Sequence, residues 1–124
     1  MSIQLRTLNY IMVFVSDMQR STAFYRDLLG LPLQFSSPDW TEFATGSTTL
    51  ALHLARDRSG GAVQGPSLAG QAQLGFEVDQ LDAAYVWLQG QGVQFSRPPQ
   101  EQPEGGKMAV LHDPDGLGIT LRQG

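Results

Sequence analysis

The sequence predicts an α+β fold in which two βαβββ modules form a curved mixed sheet with a concave cavity. Residues 10–15 read as a strand that is apolar on both faces. The order of strand, helix and three strands then starts again after a polar, glycine-rich segment. The two copies also share a similar tetrapeptide, LQFS at 33–36 and VQFS at 93–96, which indicates a repeat of about 60 residues.

The first module is expected over about residues 8–54 and opens with the apolar strand YIMVFV at 10–15. Alternate side chains of a strand point to opposite faces. In a small antiparallel domain one of those faces is normally polar and solvated. We therefore expect helices to cover one face of this strand, and something else to cover the face that carries Tyr10, Met12 and Phe14.

A helix is predicted next, over residues 18–29, because Asp17 can cap its first turn and Gly30 can end it. The remaining strands of the module are predicted at 31–35, 41–44 and 48–54. The positions of the helix with inward spacing are Ser21, Phe24, Tyr25 and Leu28.

Residues 55–72 are rich in glycine, serine and polar residues without a period, which is typical of a linker. The second module is expected over about 73–122. It begins with a strand at 74–78 and a helix at 81–88 that Gly90 and Gly92 end. The inward positions of this helix are Leu81, Ala84, Tyr85 and Leu88.

The module continues with a short strand at 93–95, a Pro/Gly/Glu loop at 97–106, and strands at 108–112 and 118–122. The turn DPDG at 113–116 joins the last two strands. Pro114 fixes φ and Gly116 permits a positive φ, so we interpret this segment as a tight turn. It lacks the twelve-residue pattern of a calcium loop.

Composition indicates one globular domain over residues 1–124 and excludes several classes of function. The net charge is −4 and Lys107 is the only lysine, so the clustered positive charge that nucleic acids require is missing. No apolar run approaches the roughly 20 residues of a membrane helix, and the N-terminus lacks the features of a signal peptide. The absence of cysteine excludes thiolate chemistry and fits a cytoplasmic protein. No GxSxG, phosphate-loop, GxGxxG or HExxH motif occurs.

Three stretches resemble the vicinal oxygen chelate superfamily of glyoxalases, bleomycin-resistance proteins and extradiol dioxygenases: YIMVFVSDMQRSTAFYRDLLGLPLQF, GFEVDQLDAAYVWLQGQGVQF and VLHDPDGLGITL. The FYRDLLGL helix end and the DPDG turn are the most specific parts of a resemblance that runs from about 8 to 121. It implies that each module forms a half-open barrel, often completed by a homodimer. It also implies a small-molecule site on the concave face of the sheet.

In metal-using members of that superfamily, the site has four inward ligand positions, one on the first and one on the last strand of each module. The resemblance places these positions at Tyr10, His53, Gln73 and Thr120, or at Ala51 in place of His53 if the alignment shifts by two residues. Only His53 is a good ligand for a divalent ion, and catalytic sites typically use three such residues. We therefore expect no catalytic metal and no cofactor.

The predicted ligand-binding residues lie at inward or cavity-mouth positions, and their catalytic roles are unknown: Tyr10, Met12, Phe14, Trp40, His53, Gln73, Glu77 and Thr120. The first three could line an apolar pocket with one phenolic hydroxyl, or they could simply pack within the domain or against a partner subunit. Trp40 follows SSPD, where a loop could present it at the mouth of the cavity. His53 could also be an ordinary hydrogen-bonded strand residue.

Two further residues are expected to be structural. Trp87, on the outer side of the second helix pattern, is expected in the core or in an interface. His112, beside the DPDG turn, is expected at the surface. Glu77 could face a cationic ligand or remain solvated.

Three functional hypotheses follow. The first is a protein that binds and sequesters a small hydrophobic or aromatic molecule, such as a drug or metabolite, as antibiotic-binding resistance proteins of the superfamily do. The second is a metal-dependent glyoxalase-like lyase or isomerase, or a dioxygenase, in which Glu42 or Glu77 completes the metal site. The third is a purely structural subunit. In each case we expect a homodimer, with or without exchanged modules, and no nucleic-acid or membrane partner.

Overall fold

A computed structural model describes residues 8–55 and 72–124. The chain divides into two compact units, Met1–Asp57 and Arg58–Gly124. Each unit contains one four-stranded mixed sheet, and this confirms the predicted α+β class with strand–helix–three-strand order. Apart from its two end residues, the segment predicted as a linker lies outside the described residues.

The first unit is a sheet with strand order β1-β4-β3-β2. β1 runs parallel to β4, and the other neighbours are antiparallel. The elements are β1 (Tyr10–Val15), α1 (Met18–Ala23), a π-helical turn (Phe24–Leu28), β2 (Leu33–Ser36), β3 (Trp40–Thr45) and β4 (Thr48–Leu54).

The helical segment begins and ends where the sequence predicts. Asp17 caps it, since its Oδ1 accepts a hydrogen bond from the backbone N–H of Arg20 at 3.0 Å. Gly30 follows it with a φ of +73°. The last five residues form a π turn instead of α-helix, and in this turn both Phe24 and Tyr25 are buried, with ring centroids 5.1 Å apart. The segment therefore packs two consecutive aromatic rings into one core.

The second unit repeats this arrangement with strand order β5-β8-β7-β6. β5 runs parallel to β8, and the other neighbours are antiparallel. One face of the sheet is apolar and buried, with Leu81 and Leu88 of the helix also in the core. The elements are β5 (Leu74–Glu77), α2 (Leu81–Gly90), β6 (Phe95–Glu101), β7 (Lys107–His112) and β8 (Gly118–Gln123).

The prediction of a loop at 97–106 is wrong for its first half. β6 continues through Pro98 and Pro99 to Glu101. Proline is compatible with this strand because β6 lies at the edge of its sheet. On the outer side of an edge strand, no neighbouring strand needs the N–H group that proline lacks. The pairing with β7 is irregular and shifts register on both sides of Arg97.

The DPDG segment forms the predicted tight turn. Asp113 is buried, and its Oδ1 accepts hydrogen bonds from the backbone N–H groups of Asp115 at 2.9 Å and Leu117 at 2.8 Å. Gly116 has a φ of +90°. His112 lies beside this turn and is half-buried. The carboxylate of Asp113 thus organises the loop between β7 and β8.

The prediction that Trp87 lies in the core is wrong, because half of its surface is exposed on α2. The sequence pattern placed it on the outer side of the helix, and the structure keeps it there. Across the described ranges, no helix is long and apolar enough to cross a membrane.

Candidate functional site

The face of the first sheet that lies opposite α1 carries a group of aromatic and apolar side chains. β1 turns Val15 toward the core, while Tyr10, Met12 and Phe14 point the other way and expose 54%, 38% and 57% of their surface. We call this surface the open face, and define it by Tyr10, Met12, Phe14, Trp40, Glu42 and His53.

Strand register determines which side chains are neighbours on the open face. Phe14 lies beside His53, and Met12 lies beside Ala51. On the other side of β4, Trp40 pairs with His53 and Glu42 pairs with Ala51. Ala51 and His53 therefore point to the same face, and the choice between them is a choice of position along β4.

Aromatic rings are in contact across three strands of the open face. The ring centroid of His53 lies 5.4 Å from that of Phe14 and 5.7 Å from that of Trp40. Trp40 also meets Tyr10 edge to face, with centroids 6.2 Å apart. Ala51 is completely buried although it faces this side, which we attribute to the indole that lies between His53 and Tyr10. The predicted residues of the first module are thus brought together.

The prediction that a loop presents Trp40 is wrong, because Trp40 is the first residue of β3. The turn before it is closed by Ser37, whose backbone N–H donates to the carbonyl of Trp40 at 2.8 Å. The hydroxyl of Ser37 accepts from the Trp40 N–H at 3.0 Å. The SSPD segment is therefore a tight connection between β2 and β3, and it fixes the indole on the sheet.

Glu42 is the charged member of the open face and was not in the predicted binding set. Its Oε2 accepts a hydrogen bond from Nε1 of Trp40 at 2.8 Å, and its Oε1 accepts one from Nε2 of Gln34 at 3.2 Å. The bond from Trp40, and then that from Gln34, lower the pKa of the Glu42 carboxyl below its ordinary value. The sequence signal was the spacing of Trp40 and Glu42, because residues two apart on a strand share a face.

The predicted residues of the second module share one face of the second sheet. Gln73 is exposed, and its side chain lies over Gly118, where an added Cβ would come within 2.8 Å of Nε2. Thr120 is half-buried, and Glu77 is exposed at the end of β5. These three residues lie in a different unit from the open face, and their role stays a prediction.

The two residues at the metal positions of the first module, Tyr10 and His53, lie too far apart on the sheet to bind one divalent ion together. Tyr10 pairs with Thr49, four residues before His53, so the two positions are about 13 Å apart along the strands. The indole of Trp40 contacts both of their rings. Ala51, nearer to Tyr10, has no donor atom. In the part of the chain that the structure describes, no group of three or more His, Asp or Glu residues could hold a metal.

Comparisons with known proteins agree with this architecture. The family model of the glyoxalase/bleomycin resistance protein/dioxygenase superfamily matches residues 7–121. The uncharacterized protein YraH of Bacillus subtilis (strain 168) is 32% identical over 114 residues, which are 85% of this chain and 88% of that protein.

Two solved structures show the same fold at lower identity. A glyoxalase-related enzyme from Fulvimarina pelagi is similar with a TM-score of 0.79 and 24% identity, over 97% of this chain and 89% of that one. Lactoylglutathione lyase from Agrobacterium tumefaciens is similar with a TM-score of 0.73 and 19% identity, over 95% and 93%. The match of the family model over nearly the whole sequence, together with the paired βαβββ units, shows that the chain belongs to the glyoxalase/bleomycin resistance protein/dioxygenase superfamily.

Proposed function

We propose that the protein binds and sequesters a small aromatic or hydrophobic molecule at the open face of the first sheet, without metal chemistry. The observation that carries this proposal is the exposure of Tyr10, Met12 and Phe14 next to Trp40 on one sheet face. Contiguous exposed apolar side chains rimmed by a few polar groups are typical of binding surfaces. Aromatic side chains add ring stacking to the burial of apolar area.

The chemistry of the open face favours binding over a glyoxalase-like reaction. A metal-dependent lyase needs several good ligands close together, whereas this face offers His53 in contact with two other rings and Glu42 in hydrogen bonds to Trp40 and Gln34. The similarity to a lactoylglutathione lyase supports the fold only, since one fold carries many functions. A drug or a metabolite would suit the same surface, and antibiotic resistance is one role that the proposal allows.

Saturable binding of bulky aromatic compounds is the first expected result. The chain has two tryptophans, so a Trp87→Phe variant leaves Trp40 as the only indole and makes its fluorescence a reporter of the open face. Titration with bleomycin-type and other bulky aromatic compounds should change this fluorescence. A free ligand concentration of a hundred times Kd should stabilise the protein by about 2.7 kcal/mol, and a thermal-shift measurement detects this change.

Phe14→Ala should weaken this binding about tenfold, since it removes an exposed ring from the open face. Val86→Ala is the matched control, because Val86 is 68% exposed on α2 in the other unit. Absence of binding up to millimolar concentrations would contradict the proposal. So would near-stoichiometric Ni, Zn, Fe or Mn in the purified protein by elemental analysis, which would favour the catalytic alternative.

A homodimer is part of the same proposal. Within the described residues, β1, β2 and β5 each pair with a single strand, and exposed apolar side chains such as Phe35 and Phe14 extend the surface available to a second copy. Size-exclusion chromatography with light scattering should give twice the chain mass of 13.5 kDa. A sharp monomer peak at micromolar concentration would refute the dimer. We also propose a cytoplasmic location, which cell fractionation tests.

A further inference from the structure

We infer that the molecule bound at the open face carries a cationic nitrogen, and that Glu42 is the residue that binds it. This inference rests on the proposed function and adds a chemical class of ligand to it. Three observations carry it: the central position of Glu42, the neutral groups that hold its carboxylate, and the aromatic rings beside it.

Glu42 lies in the middle of an apolar surface and not at its rim. Across the sheet it pairs with Ala51, which in turn pairs with Met12 of β1. Along β3 it is two residues from Trp40. On its other side it pairs with Phe35, which is 52% exposed. A carboxylate among apolar neighbours loses part of its hydration when a ligand covers the face, and this is costly unless a partner compensates it.

Among the described residues, the carboxylate is fixed in position by groups that do not neutralise its charge. Both groups that hold it, the indole N–H of Trp40 and the amide of Gln34, are uncharged. The ion pairs found within residues 8–55 and 72–124 use other carboxylates, namely Asp27, Asp82 and Glu104. A carboxylate has about four acceptor sites, so two hydrogen bonds leave room for further donors.

The rings next to Glu42 suit the same ligand. The Trp40 indole that donates to the carboxylate also contacts Tyr10, and the two rings stand at 72° to each other. Aromatic faces attract ammonium and guanidinium groups within about 6 Å. Because the indole turns its N–H edge toward the carboxylate, a ligand whose cationic group pairs with Glu42 brings its own aromatic part close to these rings. An uncharged ligand leaves the carboxylate desolvated and unpaired, and an anionic ligand adds repulsion. The net charge of −4 also favours the approach of a cationic ligand over an anionic one at longer range.

Three probes of similar size test the inference: naphthalene with a hydroxymethyl, an ammoniomethyl or a carboxylate substituent. Isothermal titration should show that the cation binds at least tenfold more tightly than the neutral compound, and the anion more weakly than either. In Glu42→Gln, which keeps the size of the side chain and acceptor capacity for Trp40, this preference should disappear, because the cation loses its counter-charge and the neutral compound no longer covers a carboxylate. Glu101→Gln removes an equal charge from an exposed position on β6 and should leave the preference intact.

The outcomes separate this inference from the proposed function. Binding of the neutral probe without a preference for the cation would overturn the inference and leave the proposed function standing. A preference that survives in Glu42→Gln would overturn the assignment to Glu42. No binding of any probe at millimolar concentration would overturn both. In the unaltered protein, the preference should also shrink as ionic strength rises, and an unchanged preference would contradict a charge-based origin.

Discussion

Replacement of Phe43 by alanine is expected to lower the free energy of unfolding of the first unit by about 3–5 kcal/mol. Phe43 lies in the centre of β3, is completely buried, and packs against Tyr25 with ring centroids 6.0 Å apart. Truncation of this ring removes its burial and leaves a cavity that the strands on either side cannot close. The effect is large because β3 lies between β2 and β4 inside the sheet.

Urea unfolding followed by the fluorescence of Trp40, in the Trp87→Phe background, measures this loss within the first unit. Phe35→Ala is the matched control. Phe35 is the same residue type on the neighbouring edge strand, but it is 52% exposed, so its loss should cost less than about 1 kcal/mol. Equal destabilisation by the two substitutions would contradict the assignment of Phe43 to the core.

Replacement of Trp40 by alanine is expected to weaken the binding of aromatic ligands about 10- to 100-fold. The indole contacts Tyr10 and His53 and donates to Glu42, so its loss removes the largest ring of the open face together with the hydrogen bond that orients the carboxylate. Aromatic residues at the centre of a binding surface commonly contribute 2 kcal/mol or more. Isothermal titration suits the measurement, because the fluorescent reporter is removed.

Trp40→Phe separates the two roles of the indole. It keeps an aromatic ring but removes the N–H that is the main cause of the lowered pKa of Glu42, so this pKa should rise toward its ordinary value. A carboxyl whose pKa is lowered by folding contributes stability above its unfolded pKa and loses it as pH falls through the folded pKa. The contribution of Glu42 to the folding stability at neutral pH should therefore be smaller in Trp40→Phe. Titration of the side-chain carboxyl by NMR measures the change directly.

Trp87→Ala is the control for these variants, because Trp87 is half exposed on α2 and outside the open face. Its affinity for the same ligands should match that of the unaltered protein. If Trp40→Ala bound as tightly as Trp87→Ala, the open face would not be the binding surface.

Strong local patterns predicted most elements of the fold. The bounds of β1 and β4 match the prediction at both ends, because β1 is an apolar run that ends at Ser16-Asp17, and β4 begins after Gly46-Ser47 with leucines at alternate positions. Asp17 and Gly30 marked the helical segment correctly. The strand predicted at 93–95 overlaps β6 only at Phe95, and its continuation to Glu101 was missed because Pro98 and Pro99 lower strand propensity and a sequence does not reveal that a strand will lie at a sheet edge.

The candidate site was predictable only as far as residues on the same strand. Period-two alternation placed Tyr10, Met12 and Phe14 on one face. The contact of Glu42 with Trp40 follows from their spacing on β3, but its contact with Gln34 depends on the pairing of β2 with β3, which shifts register between Leu33 and Phe35. Such a bulge is set by tertiary packing, so the hydrogen-bonded carboxylate became visible only in the structure.

The irregular course of β6 also bears on how the protein behaves at high concentration. An outer strand with free N–H and C=O groups is a template on which other chains can add, and this is how many proteins polymerise into fibrils. In β6, Pro98 and Pro99 offer no N–H, and the two register shifts next to Arg97 bend the backbone away from a straight ladder. That border of the second sheet therefore resists strand addition.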